Sequence, residues 1–213
     1  MICKWAIRQP GYQIISCLIA GYPDTLVPGT DVDRSVEQLV DEILVMDCQS
    51  GSIKALEMLV TRWQKRLWRY AYRLTGEPEA AWDVTQESWL GIVRGIYRLN
   101  DPARFRPWAY RIVTNKAHDW IRKDARAPQV QADRITEQQS RSNPESSETF
   151  SDLQNIMCRL SAQSRDVLTL YYLEEFGLAE VASILRIPKG TVKSRLHNAR
   201  NELRKLWQEY AEK

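Results

Sequence analysis

Residues 178–204 read LAEVASILRIPKGTVKSRLHNARNELR, and this stretch decides the fold. Val181, Ile184 and Leu185 give a short helix one apolar face. Ile187-Pro188 stops it, because proline lacks the amide donor a continuing helix needs, and Gly190 reads as the residue that keeps a tight turn open. Beyond the turn, Val192, Leu196, Ala199 and Leu203 recur at steps of four, three and four, which puts them on one side of a second helix. With that side packed inward, Ser194, His197, Asn198 and Asn201 face out, flanked by Lys193 and Arg195. This is helix-turn-helix geometry: the second helix offers polar side chains to base edges in a major groove while basic ones hold phosphates. Seven basic residues against the single acid Glu202 give 186–205 a charge of +6, the excess that phosphate neutralisation requires. A merely solvated basic face is the competing reading, and it leaves the Pro-Gly turn and the polar stripe unexplained.

Working toward the amino terminus, Leu160, Val167, Leu168, Leu170, Tyr171 and Leu173 form a supporting helix that Ser161 can cap. Glu174, Glu175 and Glu180 make an acidic corner, readable as a protein-docking patch or as simple charge balance. Residues 125–148 are rich in Gln, Ser, Asn and Pro, with almost no large apolar side chain, the composition of a flexible linker. Helical spacing returns over 36–124, in Val36, Leu39, Val40, Ile43 and Leu44, and again in Leu59, Trp63, Leu67, Tyr70 and Leu74. The expected fold is therefore all-α: two small helical domains, 36–124 and 149–213, joined by a flexible linker at 125–148. The C-terminal domain is the helix-turn-helix, and residues 1–35, with three prolines and no sustained period, form an irregular extension.

The whole chain has 213 residues and a net charge of only +3, a total that hides the local pattern. Residues 31–58 hold seven acids and two bases, whereas 104–126 carries +5. No apolar run approaches the roughly 18 residues needed to cross a bilayer, so no membrane insertion is expected. The apolar patch at 14–20 follows Lys4 and Arg8 but is short and broken by Ser16, which argues against an export signal. Four scattered cysteines (3, 17, 48, 158) and two histidines offer no metal-ligand spacing, and they fit a reducing, cytoplasmic setting. Neither cofactor nor metal is implied.

In 104–126, Phe105, Trp108, Tyr110 and Trp120 are interleaved with basic residues. Trp108 and Trp120 can fill a core. Arg111, Asn115, His118 and Arg122, at steps of four, three and four, make a separate polar stripe suited to a strand that has left the duplex. His118 reads as a surface residue near a phosphate, without an acid–base role. The loop 99–104 can hold an extruded base against Asn100 or Asp101, or can be an ordinary turn. Upstream, Asp83, Gln86 and Glu87 share a helical face that fits docking on a basic partner helix. Arg62, Lys65, Arg66, Arg69 and Arg73 form a basic row without an acid among them.

Taken together, AAWDVTQESWLGIVRGI (80–96), FRPWAYRIVTNKAHDWIRK (105–123) and the 178–204 motif resemble, in this order, the extracytoplasmic-function (ECF) group of the sigma-70 family of bacterial RNA polymerase sigma factors. The resemblance implies a non-enzymatic initiation factor that binds core polymerase through the β′ clamp helices and the β flap, recognises promoter DNA and assists its melting. It implies core docking by Asp83, Gln86 and Glu87. It places Asn100, Asp101, Arg111, Asn115, Lys116, Asp119, Arg122 and Lys123 at the −10 element. It places Lys193, Ser194, Arg195, His197, Asn198 and Arg200 at the −35 element, and it implies an anti-sigma protein as regulatory partner. The loop departs from many relatives by its Asn100-Asp101-Pro102, and His197-Asn198 departs from the more basic or aromatic pairs common there. A conventional helix-turn-helix repressor or activator, with 36–124 as a sensing or dimerising domain, is the alternative. A nuclease is disfavoured because no acidic or metal-ligand cluster converges.

Overall fold

The hydrophobic spacing of the first domain becomes three long helices in a computed structural model, which describes residues 31–125 and 155–211. Helix α1 spans Asp31–Gln49, α2 spans Ile53–Thr75 and α3 spans Pro78–Gly95. Helix α1 therefore begins inside the stretch expected to be irregular, while residues 1–30 and the expected linker beyond Ala125 lie outside the described residues. Ser52 caps α2 by accepting the Ala55 amide, and Gly76 ends it at φ 80°, donating to the Tyr72 carbonyl. One face of α2, including Leu59, Trp63, Leu67, Tyr70 and Leu74, is at most 1% exposed. Full burial of each such apolar side chain is worth about 1.5–3 kcal/mol.

Two short 3-10 turns, Ile96–Arg98 and Pro102–Arg104, lead into α4, Phe105–Asp124. Helix α4 crosses the core so that Trp63 meets Phe105 and Tyr110 edge-on, at centroid distances of 5.6 and 6.3 Å. The Tyr70 hydroxyl pairs with Thr114 Oγ1 at 2.7 Å, satisfying two buried polar groups at once. Trp108 and Trp120 are partly buried against this core, in line with their packing reading. Helices α3 and α4 approach closely where α3 has no side chain: a Cβ on Gly95 would lie 2.8 Å from the Trp108 ring, and one on Gly91 3.3 Å from Ile112.

The second domain opens with a helical turn at 155–159 and continues with α5, Ala162–Leu168, capped by Ser161. Glu202 accepts the Ser161 amide (2.7 Å) and the Ser164 hydroxyl (2.5 Å), so the lone acid of the basic C-terminal run is a cap for α5. Helix α5 passes directly into a π-helical turn, Thr169–Leu173, and the chain then reverses at Glu175, which takes a left-handed φ of 55°. Helices α6, Leu178–Leu185, and α7, Lys189–Ala211, complete the helix-turn-helix. Val181 and Ile184 of α6 pack with Val192, Leu196, Ala199 and Leu203 of α7, all buried as the periodicity requires.

The turn between them differs from expectation. Arg186, in the left-handed region at φ 54°, makes the reversal and donates its amide to the Ala182 carbonyl. Gly190 already lies in the first turn of α7, where a Cβ would meet nothing within 4 Å. Among the described residues there is no strand, and the all-α expectation holds.

Candidate nucleic-acid interface

On α3 the buried set Ala81, Val84, Thr85, Ser88 and Ile92 leaves Asp83, Gln86 and Glu87 together on the exposed side. Trp82 and Leu90 flank them, 46% and 58% exposed, so the expected docking row carries apolar surface at both ends that the sequence reading did not assign. Glu87 Oε2 reaches Lys116 Nζ at 3.0 Å, which links this row to the polar side of α4.

The expected −10 residues do not share one environment. Asn100 and Asn115 are exposed, and Arg122 with Lys123 is exposed at the end of α4. Arg122 pairs with Asp119 on its own helix. Asp101 acts locally: its Oδ1 caps the 3-10 turn by accepting the Ala103 amide at 3.1 Å, and Arg104 lies 3.4 Å from its other oxygen. The loop is held from behind by Gln49, whose amide donates to the Ile96 and Leu99 carbonyls at 2.9 and 2.8 Å. Sequence reasoning missed Gln49 because nothing in the acidic 31–58 stretch connects it with a turn some fifty residues away.

The basic row of α2 is not free of acids, contrary to its local reading. Arg62 pairs with the buried Asp41 at 2.7 Å, Arg66 with Glu37 at 3.2 Å, and Arg73 with Glu174 of the second domain. His118 also departs from expectation: its Nε2 lies 2.9 Å from Asp166 Oδ2 on α5. The adjoining Asp166 carboxylate raises the imidazole above its ordinary 6.5, opposed by burial and by Arg122, with Asp119 assisting.

On α7 the expected outer stripe is exposed except at Asn201, which is half-buried. Lys193, Ser194, His197 and Asn198 are exposed, and Arg195 is half-buried beside them. Ser194 donates to the Thr191 carbonyl, and His197 Nε2 pairs with Asn201 at 3.2 Å. Arg200 turns inward: its Nε donates to the Tyr172 hydroxyl at 2.7 Å and its guanidinium lies over that ring. No group of three or more His, Cys, Asp or Glu side chains able to hold a metal occurs among the described residues.

Comparison with known proteins gives these surfaces a context. Residues 59–127 match the family described as Sigma-70 region 2, and residues 150–203 match Sigma-70, region 4. The ECF RNA polymerase sigma factor SigW of Bacillus subtilis is 30% identical, over 76% of this chain and 93% of its own length. The ECF RNA polymerase sigma-E factor of Salmonella typhimurium is 31% identical, over 78% and 94%. The fold is similar to that of CnrH solved with the cytosolic domain of CnrY, at a TM-score of 0.61 and 24% identity, covering 79% of this chain and 97% of that one. It is similar at the same TM-score to the sigma factor RpoE solved with the anti-sigma factor NepR from Bartonella quintana, with 23% identity and 73% and 98% coverage. The plain cytoplasmic placement expected from cysteine usage is withdrawn here. CnrH was solved in complex with a fragment described as the cytosolic domain of CnrY. Among the described residues no helix is itself long and apolar enough to cross one.

Proposed function

This chain belongs to the ECF group of the sigma-70 family, and we propose that its exposed helical faces divide the work of such a factor between them. It binds core RNA polymerase and directs it to promoters, and it is not an enzyme. Asp83, Gln86 and Glu87, with Trp82 and Leu90 at the ends of the row, dock on the β′ clamp helices, and the C-terminal domain seats on the β flap. Asn100, Asp101, Arg111, Asn115, Lys116, Asp119, Arg122 and Lys123 hold the opened −10 strand. Lys193, Ser194, Arg195, His197 and Asn198 read or grip the −35 duplex, while Arg200 positions α7 through Tyr172.

The observation that carries this reading is the separation of polar faces. The docking row and the −35 stripe lie on different domains, each backed by its own buried set. Each module alone is weakly specific, and tying both to one polymerase multiplies their selectivity through simultaneous engagement. Strand opening costs a few kcal/mol of unstacking per step, which contacts to the released bases offset. The factor therefore melts DNA by binding what melting produces. An anti-sigma protein is its regulatory partner in this reading, supported by the complexes in which the similar folds were solved.

The test is reconstitution of the purified chain with bacterial core polymerase on a promoter library. Promoter-dependent initiation is expected. Tight duplex binding by the chain alone, without initiation, would favour the repressor alternative.

A further inference from the structure

Helix α1 is apolar on two opposite sides, and only one of them faces the core. Leu44, Val45 and Cys48 are buried there together with Asp41. On the far side Val36, Leu39, Val40, Ile43 and Met46 are all exposed, Leu39 by 54% and Ile43 by 53%. At 3.6 residues per turn, this second stripe lies roughly 150° around the helix from the first. Met58 of α2 extends the exposed apolar surface, and a cleft of about 560 Å3 opens beside it between Val40, Leu44, Met58 and Arg62. A helix apolar on every side belongs inside a protein, and a contiguous exposed apolar patch marks a contact. The edge of the patch is acidic: Asp47 is exposed within it and Glu42 is half-buried beside it, and the last turn of α1 holds no basic residue. None of the faces assigned to polymerase or promoter includes this stripe.

The composition of the chain ahead of α1 fits it. No residue from Gln9 to Pro23 is charged, Ile14, Ile15, Leu18 and Ile19 gather in the middle of that run, and Lys4 and Arg8 precede it. The ten residues 21–30 join the run to α1. Fully extended they span about 33–36 Å, whereas the 19 residues of α1 make a helix about 28 Å long. A segment ending at Ala20 can therefore turn back onto any part of the stripe. Running antiparallel to α1, it brings Lys4 and Arg8 to the carboxyl end of the helix, where Asp47 and the helix dipole are both negative. A second copy of the chain fits worse, because a two-fold contact through this face sets Asp47 and Glu42 against their own counterparts.

We propose that the outer stripe of α1 is the docking site of the chain's own residues 12–20, tethered through 21–30. The inference does not depend on the functions assigned to α3, α4 and α7. Because the segment is joined to α1, it meets the stripe at an effective concentration of the order of millimolar, so that modest apolar contact is enough to hold it. For the same reason a single charge placed in the stripe is enough to release it, since that charge would have to lose its water under the docked segment.

Cys17 lies inside the segment and serves as the probe. The full chain is treated with iodoacetamide, and the alkylation rate of Cys17 is read by peptide mass spectrometry relative to its rate in the urea-unfolded chain. Light scattering gives the mass in solution at each protein concentration. In the wild type Cys17 is expected to react at least about tenfold more slowly than when unfolded, in a monomer and independently of concentration. Leu39→Glu and Ile43→Glu change exposed positions, and circular dichroism establishes that each variant is folded. Both should return Cys17 to within about twofold of its unfolded rate. Gln208→Glu adds the same charge to an exposed position of the second domain and should leave Cys17 as slow as in the wild type. A wild-type Cys17 that reacts at its unfolded rate leaves the stripe open to another protein and overturns the proposal. A Cys17 that stays slow in both stripe variants overturns it too, since the segment is then shielded elsewhere, and so does equal acceleration in Gln208→Glu. Slow reaction that disappears on dilution, as the mass falls from dimer to monomer, overturns it in favour of a second copy.

Discussion

Replacing Gly95 by alanine tests how closely α3 and α4 approach one another. Gly95 is the last residue of α3 and has an ordinary φ of −99°, so alanine meets no backbone penalty there. On propensity alone the change would stabilise by up to about 1 kcal/mol, and by less at a helix end. Against that, the new methyl would sit 2.8 Å from one ring carbon of Trp108 and 3.3 Å from the next. Trp108 cannot simply swing away, because its ring also packs on Phe105 at 6.2 Å. Forcing a group into such a packed contact costs about 1–3 kcal/mol. The net expectation is a loss of about 0.5–2.5 kcal/mol, read from the midpoint of urea unfolding with the slope unchanged. Gly91 supplies the internal control: its methyl would meet Ile112 at 3.3 Å, a gap a branched side chain can open by a few tenths of an ångström. Gly91→Ala should lie within about 0.5 kcal/mol of wild type, the helix gain offsetting the crowding. Initiation by the Gly95→Ala holoenzyme should fall several-fold, since α4 must shift relative to α3. If Gly95→Ala is as stable as Gly91→Ala or more so, the helices are farther apart than described and the reasoning fails.

Reversing the charge of the docking row by Glu87→Lys should weaken core polymerase binding about tenfold, because a desolvated like-charge contact at an interface costs at least 1–2 kcal/mol; unchanged affinity in a competition assay would remove Glu87 from the row. Asn198→Ala should relax the preferred −35 sequence while leaving the −10 preference intact, checked by selection from a randomised promoter library; equal effects at both elements would count against α7 as the −35 helix. His118, raised above 6.5 and facing Asp166, Asp119 and Arg122, supports domain closure fully below about pH 6.5 and ceases to do so as pH rises through its folded value. The urea midpoint of the wild type should therefore fall across that interval relative to His118→Asn, and parallel pH profiles would show that the pair contributes nothing.

Much of the architecture was legible because helices write their packing into local spacing. The buried set Val192, Leu196, Ala199 and Leu203 is the one its spacing marked, and so is the face of α2 that holds Trp63, Leu67 and Leu74. The exposed rows on α3 and α7 followed as the complements of those sets. What escaped were relations between distant parts of the chain. Arg62, Arg66 and Arg73 look alike on one helix, yet each meets an acid from elsewhere, 21, 29 and 101 residues away. No local pattern distinguishes an arginine waiting for phosphate from one already matched. Glu202 looked like a stray acid in a basic run because its service as a cap is visible only when α7 lies beside α5. The left-handed Arg186 went unread for a different reason. Gly190 nearby was the better candidate for such a backbone, and only the start of α7 at Lys189, one residue earlier, excludes it.

The bond between Arg73 and Glu174 spans 101 residues, and this has a consequence during synthesis. Helices α1 to α4 are complete once Asp124 has left the ribosome, and their contacts are local enough to form without waiting for the rest. Glu174 emerges 50 residues later, an interval of about 3–10 s at common elongation rates of roughly 5–20 residues per second. For that time Arg73 and Arg106 of every nascent chain lack the bonds to Glu174 that the finished one makes. The order of the two domains along the gene thus sets an interval in which the N-terminal domain stands without its partner carboxylate, which a chain with the acidic turn placed first would not have.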